Sequence, residues 1–381
     1  MKPIFKHFDL RIVYPNFNSD LTDIILELDY LRKKPLGGST PAEIFFQLKH
    51  IFHLLESIGS ARIEGNRTTI AEFIENIISP VKQKEEGIKE IENTDRAMHF
   101  IDENIEESSI ISRAFIQELH KITVQQLKKE GDRTPGNYRK GKVEISGSTH
   151  LPPEAIQVRE YIDELVSFIN KNTAPKYDLL KTAIAHHRFA WIHPFNNGNG
   201  RVVRLLTYSM LIKQGFNVQA GRILNPTAIF CIDRNKYYKM LSQADKGTDS
   251  GILTWCEYVM SGLNREIQNI DKLTNQSYLN KNILFPTINY CLTRKMITSF
   301  DAAVMNLAVK KEYLKSSDLL ELLPGESPLN RSRIIAKLRK DKFLVRSFGK
   351  KQKYVINFSN NCLLRGIIEF LGKEKFIPLS E

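Results

Sequence analysis

Residues 191–204, WIHPFNNGNGRVVR, interrupt a chain that is otherwise written in helical periods. LLKTAIAHHRFAWI leads into them, and RVVRLLTYSMLI resumes the apolar helical pattern behind them. The chain must therefore fold here as helix, short polar joint, helix. Unpaired N–H groups and the positive end of the macrodipole make a helix start a place for an anion. Gly198, Asn199 and Gly200 would let a phosphate approach the backbone closely. Arg201 and Arg204, three residues apart on the first turn, would add charge-assisted contacts to a polyphosphate. His193 stands just ahead of the loop, where a neutral imidazole accepts a proton from an attacking hydroxyl. No lysine-serine pair follows the glycines and no strand precedes them, which excludes both a Walker A loop and a dinucleotide fingerprint. Together these residues point to transfer of a phosphorus-centred group from a nucleotide.

Helical spacing continues on both sides. Thr40-Pro41-Ala42-Glu43 has the form of a capping box, followed by Ile44, Leu48, Ile51, Leu55 and Ile58 at helical spacing. That helix runs into Ser60-Ala61-Arg62-Ile63-Glu64-Gly65-Asn66, where glycine and asparagine should stop it. Further helices are expected near 69–79, 88–105, 112–129, 153–170, 177–192, from about 200, and near 233–245 and 252–273. Between them GNYRKGKVEISGSTHLPP, residues 136–153, alternates around Val143 and Ile145 and reads as a short hairpin. His186 and His187 diverge on one helix and have no acidic partner at ligand spacing, so a metal-hydrolase site with His193 is set aside. His120 and His150 carry no pattern, and Lys82–Glu86 reads as a solvated loop of mixed charge.

The last hundred residues differ. From Lys281 to Glu381 there are 19 Lys+Arg against 9 Asp+Glu, so this segment holds +10 of the chain's +12. Ser316-Ser317-Asp318 caps a short helix to Leu323, and Pro324–Ser327 turns the chain. A second helix, about 330–341, carries Arg331, Arg333, Lys337, Arg339 and Lys340, and LVRSFGKKQKYVINF reads as two strands around a Gly-Lys-Lys turn. This is the order of a winged helix-turn-helix. Cys231, Cys256, Cys291 and Cys362 form no CxxC pair and read as four free thiols of a reducing cytoplasm. The start of the chain lacks the apolar run of a signal peptide, and no segment is long enough to span a bilayer. The expected location is cytoplasmic.

HPFNNGNGRVVR resembles the signature of the Fic (filamentation induced by cAMP) proteins, H-x-F-x-[D/E]-[G/A]-N-G-R-x-x-R, and agrees at every fixed position but one. The resemblance implies a helical Fic domain at about 112–245. It also implies transfer of AMP from ATP to a protein Ser, Thr or Tyr hydroxyl, with Mg²⁺ and release of pyrophosphate. His193 would be the general base and Phe195 a core anchor. Gly198, Asn199 and Gly200 would hold phosphates, with Arg201 and Arg204 reaching the outer ones. The departure is Asn197, an uncharged amide where the family places an acidic Mg²⁺ ligand.

Ser60-x-x-x-Glu64-Gly65 is similar to the inhibitory motif that some Fic proteins carry ahead of the domain. By that resemblance Glu64 would pair with Arg204 and occupy the place of the ATP γ-phosphate. The segment Val143, Glu144, Ile145, Ser146 and Gly147 would be the tip of a flap on which a target lies as an added strand. Arg234–Leu241 resembles the helix beside the adenine, with Tyr238, Leu241 and Asp245 as base contacts. The expectation is a mainly α protein: an N-terminal helical region (1–111), a Fic domain with flap and following helices (112–275), and a winged helix (285–381). Its partners would be target proteins, itself included, with a homodimer and DNA or protein contact through the winged helix also open. The alternatives are a DNA-binding regulator whose Fic domain senses nucleotide or is weakly active, and removal rather than transfer of AMP.

Overall fold

Helices account for nearly all the regular structure of the computed structural model, which describes residues 3–33, 39–78, 84–216, 226–347, 349 and 351–377. In chain order they are α1 (Asp20–Lys33), α2 (Ala42–Ile63), α3 (Ile70–Ile78), α4 (Glu86–Asn104), α5 (Arg113–Val124), α6 (Val158–Asn170), α7 (Asp178–Ile192) and α8 (Asn199–Lys213). There follow α9 (Pro226–Cys231), α10 (Arg234–Ala244), α11 (Asp249–Leu273), α12 (Gln276–Leu279), α13 (Phe285–Thr293), α14 (Ser299–Lys310), α15 (Pro328–Lys340) and α16 (Asn361–Lys373). Strands β1 (Leu344–Arg346) and β2 (Tyr354–Ile356) pair antiparallel, Val345 opposite Val355. The chain divides into two units, one of residues 1–35, 53–68 and 81–267, the other of 36–52, 69–80 and 268–381.

In the first unit α7 and α8 are buried along almost every face, including Phe189, Trp191, Ile192, Val202, Leu206 and Leu211. Burial on nearly every face, with polar side chains such as His186, Arg188 and Arg204 among the buried ones, places both helices in the middle of the bundle. Each large apolar side chain contributes about 1.5–3 kcal/mol on burial, so the polar joint between α7 and α8 rests on a rigid base. Trp191 alone meets Phe5, Phe8 and Tyr161 with ring centroids 5.2–5.5 Å apart. Helix α5 starts where Ser112 accepts from the Phe115 N–H, an N-cap.

Residues 136–153 depart from expectation: they hold no strand ladder. The Ser148 N–H donates to the Ile145 carbonyl in a turn, with Gly147 at φ 75°. The segment's backbone partner comes from the start of the chain, where the Ile4 N–H donates to the Thr149 carbonyl and the Leu151 N–H to that of Ile4. Nothing local announces a partner so distant in sequence.

In the second unit α14, a 3₁₀ turn at Ser316–Glu321, α15 and the β1–β2 pair surround a core of Val304, Leu307, Leu314, Leu319, Ile335, Leu338, Leu344 and Tyr354. Ser327 caps α15, with Pro328 in its first turn. Packing of α13 beside α16 brings Cys291 and Cys362 to a Cα separation of 5.8 Å, and they form a disulfide. Two of the four expected free thiols are thus paired, and only Cys231 and Cys256 are free. The inference of a reducing compartment loses that support. Among the described residues no helix is long and apolar enough to cross a membrane. Lys82 and Gln83 of the expected solvated loop, and Lys350 of the turn between the strands, lie outside the described residues.

Candidate active site

Helix α7 ends on His193, whose backbone is left-handed at φ 49° and ψ 61°, an uncommon conformation for a residue with a Cβ. Arg139 accounts for it. Its buried guanidinium donates to the carbonyls of Ile192, His193 and Pro153, and its own N–H donates to that of Pro194. These bonds satisfy the orphan carbonyls of the helix end and fix the turn. Burial, with the Arg139 charge nearby, pushes the His193 imidazole down to about 4. At neutral pH it is uncharged and can accept a proton.

Beyond His193 the loop closes on itself. The Phe195 N–H donates to Asn199 Oδ1 at 2.9 Å, and Asn199 Nδ2 donates to the Phe195 carbonyl at 2.8 Å. Phe195 lies under the loop, stacked on His120 at 3.8 Å and 4°. His120 Nδ1 accepts from the Gly136 N–H, so its Nε2–H donates to the Asn197 carbonyl at 3.1 Å. Burial pushes His120 down to about 4. His120 thus packs beneath the loop, while His186 on α7 bonds Thr207 and Tyr237. Gly198, at φ 76°, begins α8, and an added Cβ there would meet Val124 at 2.9 Å.

The two arginines part company. Arg204 Nε donates to Ser60 Oγ, and Nη2 donates to the Ser60 carbonyl and to Glu64 Oε1 at 2.8 Å. Although burial pushes Glu64 up, the charge and hydrogen bond of Arg204, with Arg201 and His193 nearby, hold it below the usual carboxylate range. Burial likewise lowers Arg204, but Glu64 outweighs it and holds the guanidinium above its usual value. Gly65, at φ 101°, gives the turn that leaves Glu64 at the end of α2. Arg201 faces elsewhere: it is buried, 3.0 Å from Glu90 Oε1, and donates to the Glu130 carbonyl. Asn66 Nδ2 holds the other oxygen of Glu90 at 2.7 Å.

A cavity of about 280 Å³ opens beside this joint. Glu64, His193, Asn199, Gly200 and Arg204 line one end. Tyr238, Leu241 and Asp245 from α10 and its end line another, and Ile145, Ser146 and Gly147 form a rim; Val143 and Glu144 lie outside it. His187 bonds Asp245 at 2.9 Å, and His150 bonds the Trp191 carbonyl, which steadies two walls. Asn197 and Arg201 do not line the cavity. The Asn197 Oδ1 accepts from the Gly198 N–H at 2.7 Å, its Nδ2 faces the Lys129 carbonyl, and the loop from 193 to 200 contains no carboxylate. A neutral, already engaged amide does not fit a resident Mg²⁺, which wants one or two carboxylates.

Arg139, His120 and Glu90 have no signal in the sequence. Each works through a partner far along the chain: 54 residues from Arg139 to His193, 77 from His120 to Asn197.

Residues 110–211 match the Fic/DOC family. The Protein adenylyltransferase Fic of Drosophila yakuba is 30% identical over 210 residues, 54% of this chain and 38% of that protein. Its namesake in Aedes aegypti is 29% identical over 206 residues, 52% of this chain and 37% of its own. The chain thus spans under two-fifths of these relatives. Among solved structures, a Fic family protein from Desulfovibrio desulfuricans superposes with a TM-score of 0.55 at 19% identity, covering 91% of this chain and 98% of that one. A Fic domain containing signaling protein from Bacteroides thetaiotaomicron gives 0.52 at 19% identity, over 67% of this chain and 97% of that one. On the joint's geometry and these matches, residues 110–211 form a Fic domain of the Fic/DOC family.

Proposed function

We propose that the protein transfers AMP from ATP to a hydroxyl of a target protein, and that Glu64 restrains the reaction. One observation carries the reading: Glu64 Oε1 stands 2.8 Å from Arg204 Nη2 in the cavity that His193 lines. A carboxylate at the start of α8 holds the guanidinium and the helix end that a triphosphate would use. When Glu64 withdraws, the outer phosphates take its place and the adenine lies toward Tyr238, Leu241 and Asp245. A Ser, Thr or Tyr hydroxyl, presented by an extended segment along the rim at Ile145–Gly147, attacks the α-phosphorus. Its proton passes to His193, a phosphate ester forms, and the bond to pyrophosphate breaks. Mg²⁺ enters with the triphosphate as part of the substrate, and no step runs through a resident ion. Incubation with labelled ATP and Mg²⁺ tests this. Incorporation should be low in the wild type, rise in Glu64→Gly and vanish in Glu64→Gly/His193→Ala; equal labelling in all three would overturn it.

A second role attaches to α15. Arg333, Lys337, Arg339 and Lys340 are all exposed on it, and β1–β2 follow as a wing would. Read as a winged helix-turn-helix, this segment would bind the DNA backbone, with affinity falling steeply as salt rises. Salt-independent or absent binding of the full chain to duplex DNA would remove this role.

A further inference from the structure

Three metal-ligand side chains meet between α2 and α4, and none of them lines the cavity. His53 on α2 and Asp95 and His99 on α4 each offer a donor atom within 4.8 Å of the other two. Asp95 and His99 stand four residues apart on one face of α4, with Oδ2 and Nε2 separated by 3.6 Å. His53 is buried and His99 half exposed, so the cluster has a fixed base and an open mouth. His53 Nε2 lies 3.2 Å from the Tyr208 hydroxyl, which donates to Asp102 Oδ1 at 2.8 Å. Such a relay fixes the plane of an imidazole, as the outer partner of a metal-bound histidine does.

We propose that His53, Asp95 and His99 form a site for a divalent transition-metal ion, zinc foremost. Two imidazoles and one carboxylate, with a fourth position left to water, suit Zn²⁺, Co²⁺ or Ni²⁺ and are too rich in nitrogen for Mg²⁺ or Ca²⁺. Tetrahedral ligands on zinc stand about 3.3–3.5 Å apart, so the donors close chiefly by rotation of the half-exposed His99 side chain, with a smaller shift of the partly buried Asp95. The ion would bridge α2 to α4. Glu64 follows the last residue of α2, eleven positions after His53 and so about three helical turns further along it. Tyr208 and Arg204, the partners of His53 and Glu64, both lie on α8, one turn apart. A metal at His53 thus pins the helix that carries Glu64 and strengthens its hold on Arg204.

The test uses the tag-free full chain, titrated with CoCl₂ while the visible absorption of four-coordinate Co²⁺ is followed, then with ZnCl₂ to displace it. The expected result is one ion per chain, with affinity lowered at least about tenfold in His99→Ala and in Asp95→Asn and unchanged in His7→Ala, an exposed histidine elsewhere. His53 is buried and its replacement could unfold the chain, so the two α4 variants decide whether the site exists. Equal affinity in wild type, His99→Ala and Asp95→Asn would overturn the site. The coupling rests on the adenylyl-transfer reading and is read separately. Saturating Zn²⁺ should weaken binding of a non-hydrolysable ATP analogue several-fold in wild type but not in His99→Ala; an unchanged wild-type affinity would overturn the coupling.

Discussion

The Glu64 carboxylate fills the space that a side chain on Gly200 would need: an added Cβ would stand 2.0 Å from Glu64 Oε1 and 3.2 Å from Arg204 Nη1. The glycine therefore serves the closed state as well as any phosphate that replaces Glu64. Gly200→Ala should destabilise the protein by about 1–3 kcal/mol, as overpacking does. In the Glu64→Gly background the obstructing carboxylate is gone, so the same change should cost measurably less. Urea unfolding of the four members of this cycle checks it; strict additivity would show that Glu64 does not pack on Gly200.

Glu90 holds Arg201 in a buried pair at 3.0 Å. Removing its charge leaves a guanidinium buried without its counter-ion, which typically costs about 3–5 kcal/mol. Glu90→Gln should lower the urea midpoint by a corresponding amount, while Glu92→Gln on the same helix, whose lysine pair is partly exposed, should barely move it.

Much of this is legible in the residues, for physical reasons. Helix α4 buries a periodic face, and α7 and α8 are long, almost wholly buried runs set off by the polar joint, so their bounds are legible within a few residues. The end of α2 follows from Gly65, which takes a positive φ. The signature joint is visible as residues, and the pairing of Glu64 with Arg204 is suggested by resemblance; periodicity offers only a helix end. Arg139, His120 and Glu90 leave no local trace, because one buried polar side chain has no period. The missing ladder at 136–153 and the Cys291–Cys362 bond have the same origin: each depends on a partner that tertiary packing supplies.

Acid should loosen the fold before it protonates the candidate base. Burial holds His120 and His193 at about 4 in the folded chain, against 6.5 when unfolded, and His186 is likewise pushed well down. Between those values only the unfolded chain takes up the protons, so stability is greatest above pH 6.5 and falls as pH drops toward 4. Melting temperature should decline from pH 7 to pH 5, and His120→Asn should flatten the slope. In Glu64→Gly the transfer rate should stay level from pH 8 to pH 6, since His193 remains neutral there.

Asn197 offers no charge to a cation, and its amide oxygen already accepts from Gly198. Asn197→Asp in the Glu64→Gly background should lower the Mg²⁺ concentration for half-maximal transfer several-fold, because a carboxylate adds a charged oxygen ligand. An unchanged Mg²⁺ dependence would show that this position lies outside the metal's reach.

Competition between Glu64 and the outer phosphates of ATP, for Arg204 and the start of α8, underlies the proposed restraint. Calorimetric titration of wild type and Glu64→Gly with a non-hydrolysable ATP analogue and with AMP probes that competition at equilibrium. The triphosphate should bind at least about tenfold tighter in Glu64→Gly, as expected when a charge-assisted contact is regained, with AMP affinity nearly unchanged. Equal triphosphate affinity in the two proteins, or a gain for AMP as large as that for the triphosphate, would contradict it.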